Sequence, residues 1–198
     1  MKTLSKEELI AFEEGIAEAA ARGEVKGPIH LSYGNEDQLL KIFEGVKEED
    51  WVFSTHRNHY HGLLKGIPPA WLKEEIFAGF SMTISSPKHR FYASAIVGDI
   101  APIAVGTALG LKLKGAAEHV WCFVGDMFAE MGAFEESVKY AERHDLPITF
   151  VVEDNGVSVV TPTQETWGLR PRVSKVVRYS YKNARYPHAG VQRKYAGF

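Results

Sequence analysis

Cysteine is almost missing from this chain of 198 residues: Cys122 is the only one, so no disulfide can form within it. It lies in the apolar run His119-Val120-Trp121-Cys122-Phe123-Val124, where a small buried thiol is the expected role and a reducing cytoplasm the expected setting. Long hydrophobic runs are also missing. None approaches the roughly 18 residues that span a bilayer, and Glu13, Glu14 and Glu18 interrupt the stretch that would have to form a secretory signal. Neither a membrane anchor nor export is expected. Acidic residues stop at Glu165, after which Arg170, Arg172, Lys175, Arg178, Lys182, Arg185, Arg193 and Lys194 give the tail a formal +8 and leave −10 on the rest. Such a tail suits an acidic partner, an anionic cofactor or plain solvent; nucleic acid is not expected, because no binding signature accompanies the charge. Repeats and low-complexity segments are absent as well. With 45% hydrophobic and 24% charged residues, the chain has the composition of one globular domain with a sizeable core.

What is present has a readable order. Ser5 and Glu8 form a capping box, and Leu9, Phe12, Ile16 and Ala20 recur at helical spacing until Gly23, which predicts an amphipathic first helix. A loop around Gly27-Pro28 leads to a helix over residues 36–46, a short strand at residues 51–53, and a polar segment with His56, Arg57, His59 and His61. Residues 99–114 are small and apolar, and Gly106 and Gly110 four apart predict a buried helix packed closely on a neighbour, which would offset the helix-weakening effect of glycine. Residues 120–124, 132–144 and 147–152 then read as strand, helix and strand. Their spacing predicts a right-handed βαβ unit with parallel strands, hence an α/β fold with helices flanking a parallel sheet. A further strand is suggested over residues 173–181.

In an open parallel sheet, ligands bind beyond the carboxyl ends of the strands. Gly125-Asp126 follows the first strand of the βαβ unit, and Glu153-Asp154-Asn155 follows the second. Asp126 and Asn155 therefore belong at one edge, where both offer hard oxygen ligands suited to Mg²⁺. Gly125 would let a diphosphate approach the backbone, near the positive end of the next helix. The same residue types also suit a helix cap at Asp126 and a turn at Asn155.

These residues resemble the thiamine diphosphate motif of the alpha subunits of 2-oxo acid dehydrogenases, which runs from a Gly-Asp-Gly to a closing pair of asparagines. Here it spans Gly125-Asp126 to Asp154-Asn155-Gly156, with Gly132, Glu136, Leu146-Pro147 and Glu153 between. Upstream, Gly27-Pro28-Ile29-His30-Leu31-Ser32-Tyr33-Gly34-Asn35-Glu36 resembles the family's Gly-x-x-His segment. Asp50-Trp51-Val52-Phe53-Ser54-Thr55-His56-Arg57 is similar to its strand ending in Tyr-Arg. Ile96-Val97-Gly98 and Pro102 to Gly106 match the stretch before the buried helix, and Thr161-Pro162-Thr163 is similar to the branched-chain branch. The likeness covers residues 25–168 and implies the diphosphate-binding fold, with residues 169–198 as a basic tail packing on this domain or on a partner.

The resemblance implies roles residue by residue. Mg²⁺ would be held by Asp126, the side chain of Asn155 and the backbone carbonyl of Val157. The diphosphate would lie against Gly125, Met127 and Arg57, the last a permanently charged bidentate fork, with His56 in place of the family's tyrosine. Val97 would line the site through its backbone, and His30 would face the reacting centre as a neutral imidazole. His59 and His61 have weaker claims, and are expected to face solvent or anchor their loop. The family implies a beta-type subunit that supplies the activating glutamate, an α₂β₂ assembly, and a 2-oxo acid as substrate. Three departures stand out. Met127 replaces the third glycine, where a positive φ would be hard to adopt. The chain stops short of the family's usual end, so a terminal strand and helix are expected to be missing or supplied by a partner. The late His-Ser loop is absent, with His188 a candidate substitute. Two other readings are a split transketolase-like ketol-transfer subunit and a non-catalytic scaffold.

Overall fold

The computed structural model describes residues 4–158, 161–168 and 176–186. Helix α1 (Lys6–Ala21) opens on the expected capping box: the Ser5 hydroxyl accepts from the Glu8 N–H, and the Glu8 carboxylate from the Ser5 N–H. It closes at Gly23, whose φ of 76° lets residues 23 and 24 donate back to Ala20 and Ala19. Helix α2 (Glu36–Phe43) is shorter than expected. Strand β1 (Trp51–Ser54), helices α3 (His59–Leu64) and α4 (Pro69–Glu75), and strands β2 (Ser85–Ser86) and β3 (Phe91–Ala93) follow. Helix α5 (Ile100–Leu113), strand β4 (Val120–Gly125), the short helix α6 (Asp126–Ala129), helix α7 (Gly132–Arg143) and strand β5 (Ile148–Asp154) complete the βαβ unit. A small hairpin, β6 (Val157–Ser158) with β7 (Thr161–Pro162), leads into helix α8 (Thr163–Trp167), and β8 (Val177–Ser180) is the last described strand.

The six-stranded sheet runs β2-β3-β1-β4-β5-β8 and is parallel except for the β2–β3 pair. Alternation along each strand sends side chains to two separate cores. Val52, Phe123 and Val151 point into one with Leu9, Ile16, Leu39 and Tyr60 of the first helices. Phe53, Cys122, Val124, Phe150 and Val152 point into the other, with Ala104, Ala108, Phe134 and Val138 of α5 and α7. This is a three-layer α/β arrangement. Cys122 is fully buried, and burial pushes its thiol well above the ordinary value, as an inert core residue requires.

Two expectations are corrected here. Helix α5 turns Ile100, Ala101, Ala104, Val105 and Ala108 inward, so alanine rather than glycine permits its close approach; a Cβ added to Gly106 or Gly110 would meet nothing within 4 Å. The polar segment after β1 is largely helix α3, and His59 and His61 are buried rather than solvent-facing, because each has a carboxylate and a hydroxyl waiting inside.

Residues 181–186 run back across the first loop: the Tyr181 N–H donates to the Asp154 carbonyl at 2.9 Å, and Asn183 Nδ2 to the Leu31 carbonyl at 3.1 Å. Gly34 sits at this crossing with φ 90°, where an added Cβ would stand 2.4 Å from the Lys182 carbonyl oxygen. Backbone strain and a backbone clash therefore coincide. Gly34→Ala should lower unfolding free energy by about 2–4 kcal/mol, and a loss below about 1 kcal/mol in urea titration would mean that the two segments do not meet this closely.

Candidate active site

The carboxyl ends of β1, β4 and β5 open on one cleft, enclosing about 590 Å³ with solvent included. Its wall includes His56 and Arg57 after β1, Gly125, Asp126 and Met127 after β4, and Glu153, Asn155 and Val157 at and after β5. Val97 and Ile96 line its rim, and Tyr181 follows β8 into the same space. Parallel pairing explains the meeting. Gly125 is in register with Glu153, so Asp126 and Asn155, distant in sequence, emerge from adjacent strands at one edge. Eight of the nine residues singled out from the sequence line this cleft. The exception is His30, which is buried and packs edge-to-face on His56 with ring centroids 4.4 Å apart.

Asp126 is 3% exposed and accepts a short hydrogen bond from the Thr163 hydroxyl. Burial pushes its carboxyl group above the ordinary value against that hydrogen bond, and nearby Asp154 pushes the same way. It does not act as the helix cap, since Gly125 takes the N-cap position of α6. Asn155 does make the turn: its Oδ1 accepts from the Val157 N–H at 3.2 Å, and its Nδ2 reaches the Tyr181 hydroxyl at 3.4 Å. An amide oxygen has two lone pairs, so this turn leaves Oδ1 chemically able to ligate. Met127 lies in the first turn of α6 without a positive φ, so the glycine-specific conformation is not used; Trp167 Nε1 donates to its sulfur at 3.0 Å.

Arg57 is 8% exposed, and its Nε donates to the Leu31 carbonyl at 3.0 Å, which fixes the guanidinium plane at the cleft wall. Burial pushes the Tyr181 phenol up to about 12 in spite of the Arg57 charge beside it. The segment carrying Arg57 is held from below. Asn58 donates to the His56 and Ser81 carbonyls, while His59 lies between Glu13 and the Ser81 hydroxyl, 2.9 Å from each. Glu153 accepts from Asn35 at 3.1 Å and, through a short hydrogen bond, from Tyr179, and stands 3.3 Å from His61 Nε2. Burial opposes its charge, yet His61, Tyr179 and Asn35 together bring its carboxyl group below the ordinary value.

Sequence reasoning missed Thr163, Tyr181 and Asn35. Thr163 belongs to a segment noted only for its likeness, and Tyr181 ended a strand placed in the tail; neither carried a chemical signal of its own. His188, the candidate substitute for the late histidine, lies outside the described residues, as do residues 169–175 and most of the basic tail. Among the described residues there is no cluster of three or more His, Cys, Asp or Glu side chains shaped for a metal. The expected set contains one carboxylate, one amide and one backbone carbonyl, and does not rely on such a cluster. No described helix is long and apolar enough to cross a membrane.

A mainly parallel sheet with a polar cleft beyond its strand ends defines an α/β domain of the open-sheet class, whose ligand sites lie at that edge. The family described as dehydrogenase E1 component matches residues 6–174, and the chain belongs to that family. It is 34% identical over 160 residues to the alpha subunit of acetoin:2,6-dichlorophenolindophenol oxidoreductase of Cupriavidus necator, covering 76% of this chain and 48% of that protein. The subunit of the same name from Bacillus subtilis is 33% identical over 165 residues, 78% of this chain and 50% of its own length. The pyruvate dehydrogenase E1 component subunit alpha of Porphyra purpurea is 33% identical over 161 residues, covering 73% and 47%. The chain thus spans about half the length of these relatives. A solved structure of a putative thiamin diphosphate-dependent enzyme from Mycobacterium smegmatis overlaps 58% of this chain and 19% of its own, at 21% identity and a TM-score of 0.39.

Proposed function

We propose that the chain is the alpha-type part of a thiamine diphosphate-dependent 2-oxo acid dehydrogenase, binding the cofactor diphosphate through Mg²⁺ and acting with a beta-type subunit. The observation that carries this reading is the meeting of Asp126, Asn155 and Arg57 on one cleft. A buried carboxylate whose surroundings disfavour its charge fits a site completed by a cation. Asp126, Asn155 Oδ1 and the Val157 carbonyl would hold Mg²⁺, while Arg57 and His56 would hold the diphosphate. Met127 and Gly125 would bring backbone close to the phosphates. When bound, thiamine diphosphate supplies the electron sink for cleavage beside a 2-oxo carbonyl.

The chain's own contribution is orientation and electrostatics. His56 lines the cleft and would offer a ring nitrogen to the diphosphate, and His30 would act through its edge-to-face contact with His56. A glutamate that activates the cofactor is assigned to the beta-type partner, and α₂β₂ is the proposed assembly. The basic segment 169–198 is proposed to pack on this domain or meet that partner. A cytoplasmic setting suits a chain whose one cysteine is a buried free thiol.

Calorimetric titration of thiamine diphosphate and Mg²⁺ into the chain with its co-encoded beta-type protein should give saturable binding that disappears in EDTA. Absence of binding would defeat the reading in favour of a scaffold subunit. Turnover of sugar phosphates in place of 2-oxo acids would instead support ketol transfer.

A further inference from the structure

Strands β1, β4 and β5 lie side by side, and the residues proposed to hold the metal and the diphosphate leave them just past their ends. Beyond the last ladder hydrogen bond, a parallel sheet has nothing of its own to stop these ends from splaying. Ser54, Phe123 and Glu153 sit on the three strands, with side chains on the face packed by α1 to α3. His61 reaches all three from α3. Its Nδ1 is hydrogen-bonded to the Ser54 hydroxyl at 2.7 Å, its Nε2 faces Glu153 Oε2 at 3.3 Å, an electrostatic contact without hydrogen-bond alignment, and its ring stacks on Phe123 with centroids 4.4 Å apart. The arrangement is buried up to the cleft wall: Ser54 is 0% exposed, His61 1%, and Glu153, which lines the cleft, 8%.

Apolar side chains fill the neighbouring positions on this face, Val52 and Val151 among them. A hydroxyl, an imidazole and a carboxylate here break the local pattern and carry a desolvation cost that aliphatic residues would avoid. A Ser–His–Glu chain has the composition of a nucleophile triad, but Ser54 is fully buried and does not line the cleft. What the chain does span is the base of the cleft. Arg57 lies three residues past Ser54, Asp126 three past Phe123, and Asn155 two past Glu153.

We propose that His61 is a positioning residue for the metal–diphosphate site, a strut that fixes the ends of β1, β4 and β5 relative to one another and thereby sets the distance between Arg57 and the Asp126–Asn155 pair. This rests on the functional reading above. Phe43 packs beside the pair, its ring centroid 6.3 Å from that of His61 and 5.5 Å from that of Phe123, and Asn35 and Tyr179 brace Glu153, so the strut is itself held in place.

The test uses the full chain with its beta-type partner, thiamine diphosphate with Mg²⁺ as ligand, and two substitutions. His61→Leu keeps volume but bonds neither neighbour; His61→Gln can accept from Ser54 and donate toward Glu153. The leucine variant should bind 10- to 100-fold more weakly, in the manner of outer-shell ligands to metal sites, and the glutamine variant should recover to within about threefold. Combined with Arg57→Ala, His61→Leu should add less than its own separate loss, because its effect runs through the placement of Arg57.

Wild-type affinity in His61→Leu, or losses that simply multiply, would overturn the positioning role and leave His61 a plain core residue. Should His61→Leu not fold, Ser54→Ala replaces it, with a loss of at least threefold expected and unchanged affinity counting against the strut. A wild-type complex that binds no thiamine diphosphate overturns the functional reading instead, and this inference with it.

Discussion

Asp126→Ala should weaken Mg²⁺-dependent thiamine diphosphate binding by at least roughly a hundredfold, about 2.8 kcal/mol at 1.4 kcal/mol per decade. The same substitution should leave the cofactor-free chain as stable as before, or more stable. The two effects have opposite signs for one reason. Burial raises the folded-state value of the Asp126 carboxyl group above its unfolded value, so the folded chain holds that proton more tightly. Stability from this group is therefore greatest below the unfolded value and falls as pH rises between the two. Above the folded value the fold carries the full cost of a buried charge. A divalent cation would relieve that cost and alanine would remove it. Calorimetry of the complex and urea unfolding of the free chain measure the two halves separately. A cofactor affinity unchanged in Asp126→Ala would sink the clamp, whatever happened to stability.

The second large effect lies beneath the cleft, in residues that do not line it. Glu13 and His59 are both fully buried and 2.9 Å apart, and the other Glu13 oxygen accepts from the Ser32 N–H at 2.9 Å. Glu13→Ala strands the imidazole, the amide and a cavity together, and should cost roughly 3–5 kcal/mol. That is a large share of the ~5–15 kcal/mol that a domain has in total, and would lower the melting point by roughly 10 °C. Because His59 sits two residues from Arg57, cofactor affinity should fall as well. Replacing both members, as Glu13→Leu with His59→Leu, should recover part of the stability, since no stranded imidazole then stays buried and only the Ser32 N–H and the Ser81 hydroxyl lose a partner. A loss below about 1 kcal/mol in Glu13→Ala would show that the pair is not isolated from water.

The βαβ unit was legible because each element is contiguous and carries its own period: Val120 to Val124 and Ile148 to Val152 as apolar runs, Phe134, Val138 and Ala141 at helical spacing. Parallel pairing then brings Asp126 and Asn155 to one edge by geometry alone. What stayed hidden depends on partners elsewhere in the chain. Glu13 falls on the buried stripe of α1 between Leu9 and Ile16, yet a glutamate reads as surface until its histidine is known. Helix α3 was obscured because its inward positions include His59 and His61 rather than aliphatic residues. His30 is where the resemblance led one to look, but its depth behind His56 is set by packing that no local pattern encodes. Gly106 and Gly110 suggested a close neighbour, and the structure gives that role to the alanines on the opposite side of α5.

Strand β8 is the outermost in the sheet, and pairs with β5 through Val151 to Asp154. It also delivers Tyr179 to Glu153 and Tyr181 to Asn155. The edge strand thus contributes little to either core and acts on the cleft through these two phenols. A chain cut before residue 177 would keep the residues of both cores and lose the two phenols that hold Glu153 and Asn155, leaving the end of β5 less firmly fixed.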